Sequence, residues 1–108
     1  MSFDPHKSIQ FIWDNAPEYA KAKGQLAELE VYKSSLKSIQ MKKHPELSVT
    51  GQEREAYASE EYQTLCKAIG QATERVELLK WQLEAAKMRF EAYRTESSNN
   101  RQLDRMTK

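Results

Sequence analysis

Apolar positions recur along this chain at spacings of three and four, and the longest unbroken run lies in its second half. Tyr62, Leu65, Ile69, Ala72, Val76, Leu79, Leu83, Ala86, Phe90 and Tyr93 are separated by 3, 4, 3, 4, 3, 4, 3, 4 and 3 residues. This repeat sets ten side chains along one stripe of an α-helix, the a and d positions of a coiled-coil seam. In the first half Tyr19, Ala22, Leu26, Leu29 and Leu36 keep the same spacing, but Lys33 and Gln40 interrupt it. Tyr32 and Ile39 stand beside the interruptions and are expected to fill them. Two such helices, joined by a link of about 15 residues, predict an all-α fold, an antiparallel, coiled-coil-like helical hairpin.

Capping signals divide the chain further. Asp4 and Pro5 suit the cap and first turn of a short N-terminal helix or arm within residues 1–14. Asn15 with Glu18 resembles a capping box, so the first hairpin helix is expected at about 16–43. His44-Pro45 would stop it, because the residue before proline is pushed out of the α region. Thr50 with Glu53 repeats the capping pattern and predicts a short helix at about 51–58, inside a link spanning about 44–58. Ser59, followed by Glu60 and Glu61, can cap a long helix over about 60–96. The alternative is one continuous helix from residue 51 with Ser59 in its interior. The hairpin as a domain covers 15–97, and residues 98–108 read as a polar, flexible tail.

Composition agrees with this picture. The 108 residues are 31% charged and 39% hydrophobic, with three Gly and three Pro, the balance of a helical protein. The net charge of +1 hides segregation: residues 1–45 sum to +2, 46–77 to −4 and 78–108 to +3. The one cysteine, Cys66, can form no disulfide within the chain and suggests a reducing compartment. No apolar run approaches a membrane span, and the N-terminus lacks the order of a signal peptide, so no membrane association is expected and the cytoplasm is.

A second stripe bears on function. Leu78, Trp81, Ala85, Met88 and Ala92 are spaced 3, 4, 3 and 4 on the side of the long helix opposite its seam. A helix apolar on two faces is normally covered from both. The first helix offers small residues away from its seam: Ala20, Gly24, Ala27, Val31, Ser34 and Ser38. A lone hairpin would be marginal, since ordering each residue costs about 1–2 kcal/mol of backbone entropy. Either the N-terminal segment with Phe11, Ile12 and Trp13 folds back onto Trp81 and Met88, or a second copy docks there. Self-association into a helical bundle is favoured, as a homo-oligomer and first of all a dimer, with the N-terminal helix contributing.

Chemistry is sparse. His6, His44 and Cys66 lack the spacing of a metal set, and no cofactor, phosphate loop or nucleophile motif is expected. Glu53, Glu55, Glu60 and Glu61 read first as helix-start acids and second as an acidic patch for a basic partner. Lys42 and Lys43 beside His44, and a looser set of Lys87, Arg89, Arg94, Arg101, Arg105 and Lys108, are candidates for nucleic-acid contact. Their plainer reading is solvated helix surface. Tyr57 belongs to neither stripe, so it either packs over the loop end of the hairpin or faces a partner. Trp13, Leu78, Trp81, Ala85, Met88 and Tyr57 are the candidate interface.

The stretch Thr50–Gln63, "TGQEREAYASEEYQ", followed by "ERVELLKWQLEAAKMRFEAYRTESSNNR", resembles a group of small helical proteins of tailed-bacteriophage early regions. They sit among recombination and replication genes. The resemblance covers about residues 18–101 and leaves out "SFDPHKSIQFIWDN". It implies a setting in phage DNA metabolism within bacterial cytoplasm, with a phage or host protein as partner, and no mechanism. The expectation is therefore a non-enzymatic accessory protein of recombination or replication. The alternatives are direct binding of single- or double-stranded DNA, and inhibition of a host nuclease or defence complex through the acidic 53–61 region.

Overall fold

The computed structural model describes residues 3–107, and its only regular elements there are three helices: α1 (Pro5–Met41), α2 (Val49–Ala58) and α3 (Glu60–Thr107). The fold is an all-α helical hairpin in which α1 packs against α3. Helix α1 starts as its sequence directs, with Asp4 Oδ1 accepting the His6 amide at 3.0 Å and Pro5 in the first turn.

The separate N-terminal helix does not exist. Helix α1 runs on through Pro17, and Asn15 caps nothing, since its side-chain amide donates to the Phe11 carbonyl at 2.9 Å. Pro17 has no N–H to offer the Trp13 carbonyl, a cost of about 3 kcal/mol in a helix interior. What carries the helix across is the seam itself. Ser8, Ile12, Asn15, Tyr19, Ala22, Leu26, Leu29, Lys33, Leu36 and Gln40 run at alternating intervals of four and three, and all but Lys33 are buried or half-buried. A break at Pro17 would put the two halves out of phase and expose the apolar members of one of them.

Tyr32 and Ile39 do not fill the seam. Both remain about half exposed, because a residue one step from a seam position points some 100° away from it. Gln40 occupies its own place, 5% exposed, and Lys33 stays exposed with its ammonium 6.0 Å from the Tyr62 ring. On α3 all ten predicted seam positions are buried or half-buried, as expected.

The cap of helix α2 lies two residues before the expected one. Ser48, in an extended conformation, accepts the Gly51 amide on its hydroxyl at 3.2 Å. Thr50 lies inside the first turn. The Gln52 side chain reaches back to the His44 carbonyl at 3.0 Å, tying the turn after α1 to the start of α2. Ser59 divides α2 from α3, with φ −64 and ψ 147. Its hydroxyl donates to the Ala56 carbonyl at 2.7 Å and accepts the Tyr62 amide at 3.2 Å. One side chain thus closes one helix and opens the next, and the single-helix alternative falls. The expected flexible tail is helical as far as Thr107. No Gly or Pro follows Gly70 in α3, and Gln102, Leu103 and Arg105 are good helix formers. Met1, Ser2 and Lys108 lie outside the described residues.

The chain forms two compact units, one of residues up to Ala20 with those from Leu78 onward, the other Lys21–Glu77. In the first, Phe3 meets Tyr93 with ring centroids 5.6 Å apart, and Ala86 is buried. In the second, Ala22, Leu36, Ala56, Tyr62, Leu65 and Val76 are buried.

Candidate interaction surface

The second stripe on α3 stays uncovered. Trp81 is 59% exposed, and Leu78 and Met88 are nearly the same; Ala85 and Ala92 of the same row are exposed as well. The Lys80 ammonium lies 5.7 Å from the Trp81 ring. Of the two alternative coverings, fold-back of the N-terminal segment onto Trp81 and Met88 is not seen among the described residues, since both stay more than half exposed. Because α1 is one helix, Phe11 and Ile12 turn toward the seam and are half-buried, while Trp13 faces away from it, 78% exposed.

That single helix also joins features that reading by segments kept apart. Trp13 and Pro17 fall in phase with Ala20, Gly24, Ala27 and Val31, at spacings of 4, 3, 4, 3 and 4. All six are exposed. The back of α1 is therefore an apolar stripe of its own, bulky at Trp13 and narrow from Pro17 to Ala27. The clue in the sequence was the shared phase of Trp13 with the small residues, masked by the apparent helix start at Asn15.

Tyr57 packs over the loop end of the hairpin. Its ring stands nearly edge-on to Tyr62, centroids 5.3 Å apart, and the Lys37 ammonium sits 4.9 Å from its centroid. Lys37 also pairs with Glu53 at 3.6 Å. Hydrogen bonding to Tyr57, helped by the nearby Glu53 carboxylate, holds the Lys37 pKa above its ordinary value against the opposing effect of burial. Tyr57 thus clamps α2 onto α1. It is still 44% exposed.

The candidate nucleic-acid residues do not form one surface. Lys42 and Lys43 are exposed just past α1, in the second unit. Lys87, Arg89, Arg94, Arg101 and Arg105 line α3 in the first unit but point different ways. The Arg89 guanidinium stacks 5.3 Å from the Phe3 ring, and Arg94 pairs with Glu91 at 3.7 Å. Arg94, Arg101 and Arg105, at spacings of seven and four, share a face near the end of α3 beside Ser97 and Asn99. Among the described residues no group of three His, Cys, Asp or Glu could hold a metal ion, and Cys66 is half-buried. No helix among them is long and apolar enough to cross a membrane. No family model, curated protein or solved structure matches the chain.

Proposed function

We propose that this is a non-enzymatic helical accessory protein that self-associates and captures a protein partner, and that its back-face stripes are the binding surface. The observation that carries the reading is Trp81, which stands with Leu78 and Met88 on a folded helix, each of the three more than half exposed. An exposed apolar patch of this kind usually marks an interaction site. The setting, phage DNA recombination or replication in bacterial cytoplasm, rests on the resemblance of residues 18–101 to phage early-region proteins. A pull-down from phage-infected cells, comparing the native chain with Trp81→Glu, tests it. Native bait should retain a protein of DNA metabolism that the variant loses, and identical retention by both would refute the stripe as the binding surface.

Direct DNA binding is supported by Arg94, Arg101 and Arg105 sharing one face. It requires a salt-sensitive gel shift that disappears when the three are changed to Glu. No shift at low salt removes it.

A further inference from the structure

The start of α1 and the middle of α3 border an open groove of about 590 Å³. It lies wholly within the unit formed by residues up to Ala20 and those from Leu78 onward. That volume holds a small ligand or a short stretch of peptide. Phe3, Phe11, Ala85 and Ala86 give the groove its apolar wall, and both phenylalanines are only half-buried. Ser8 lines it too, from a seam position of α1, and is 7% exposed. A hydroxyl buried without a partner costs free energy, yet among the described residues the Ser8 hydroxyl makes no hydrogen bond. No fully buried side-chain oxygen or nitrogen among them lacks a partner. The Ser8 oxygen therefore reaches open space, and the open space beside it is the groove.

Polar and charged groups complete the lining. Gln82, on α3, adds an amide that both donates and accepts. Asp4 already has one carboxylate oxygen on the His6 amide at 3.0 Å. The Arg89 guanidinium lies over the Phe3 ring, 5.3 Å from its centroid. Such a contact uses the face of the guanidinium and fixes its position, while the N–H groups at its edge stay free to grip a carboxylate at two points. Lys7 supplies a second cation and is exposed. With Asp4 counted, these charges sum to +1. That balance suits one carboxylate and is a poor match for a strand of phosphates.

We infer that this groove takes a peptide segment of the protein partner in which a carboxylate stands next to a large apolar side chain. The carboxylate goes to Arg89 and Lys7, the apolar side chain to Phe3 and Phe11, and the adjoining peptide groups to Ser8 and Gln82. A peptide suits the groove better than an acyl chain, which would leave Ser8 and Gln82 unmatched. Ala85 belongs both to the groove and to the exposed row of Leu78, Trp81 and Met88, so the two surfaces adjoin. The inference rests on the reading of this protein as one that captures a partner, and it names the chemistry the partner brings.

The test titrates the full chain with four probes: acetyl-Leu-Phe with a free carboxylate, its C-terminal amide, decanoate and a thymidine tetranucleotide. Nuclear magnetic resonance follows the Gln82 side-chain amide and the Ala85 and Ala86 methyls. The acid should move these signals and bind about tenfold more tightly than the amide, as a charge-assisted contact requires. Arg89→Gln and Lys7→Gln should each weaken the acid toward the amide. Both side chains are exposed, so the helical circular dichroism should not change. Ser8→Ala should weaken acid and amide alike, by about threefold. Equal binding of acid and amide, or acid binding untouched by both charge variants, overturns the inference. Tighter binding of decanoate than of the acid assigns the groove to an acyl chain instead, and displacement of the acid by the tetranucleotide assigns it to nucleic acid. No movement at about 10 mM, where even a weak fragment site fills, also overturns it. If the probes fail while the pull-down still shows a partner lost with Trp81→Glu, the groove falls and capture by the stripe stands. If both fail, the reading of partner capture falls with it.

Discussion

Helix α3 carries two apolar rows with the same spacing and opposite fates. Tyr62, Leu65, Val76 and Ala86 on one side are buried, while Leu78, Trp81 and Met88 on the other are more than half exposed. Periodicity says that a face is apolar. It does not say what covers it: the seam is covered from within the chain, while Leu78, Trp81 and Met88 stay exposed. The two rows should therefore respond differently to truncation. Leu65→Ala should destabilise the hairpin by about 2–5 kcal/mol, whereas Trp81→Ala in dilute, monomeric protein should change it by no more than about 0.5 kcal/mol. Denaturant unfolding checks both, and comparable losses would mean that Trp81 is packed after all.

The same contrast holds along α1, between its seam and the proline within it. The helix crosses Pro17 because burial on both sides of it shares one phase. Pro17→Ala should then leave the fold unchanged and stabilise it by up to about 3 kcal/mol, read as a higher unfolding midpoint. A loss of stability would show that the proline shapes the helix rather than being tolerated by it.

These cases also show which parts of the molecule the sequence made legible. The ten-position seam of α3 and the Ser59 boundary were readable because unbroken apolar spacing and a hydroxyl before two acids each admit few alternatives. Helix α1 was less readable, because Ser8, Asn15, Lys33 and Gln40 occupy seam positions. A polar residue at a seam position looks like an interruption until the partner helix is known. The tail read as flexible on polarity alone, although its residues favour a helix. The Leu78–Ala92 stripe was visible from spacing, but the phase that Trp13 shares with the small residues of α1 appeared only once Trp13 and Gly24 lay on one helix.

Buried polar seam residues have a use of their own, since a single polar residue at such a position can fix register at some cost in stability. The caps separate more finely. Ser48→Ala should cost about 1 kcal/mol, because it removes the acceptor of the Gly51 amide, while Thr50→Ala, inside the first turn, should stay within about 0.5 kcal/mol. Thermal unfolding of the two variants side by side decides which residue begins α2. A larger loss from Thr50→Ala would put the cap where the sequence pattern first suggested it.

The smallest effect expected concerns the loop end of the hairpin, where Lys37 joins Tyr57 to Glu53. Its folded pKa lies above the ordinary 10.5, so folding favours the protonated amine. The contribution is then fully present below about 10.5 and fades as pH rises through the folded value. The amine is exposed enough for solvent to screen much of the interaction, and the gain over Lys37→Met should be slight. It should also be constant across neutral and mildly alkaline pH, and shrink only in strong alkali. Measured as the difference in unfolding midpoint between the two proteins, a gap that closed in acid instead would locate the stabilisation on the Glu53 carboxylate. The clamp holding α2 would then be an acid-sensitive ion pair, and the Tyr57 contact would be packing alone.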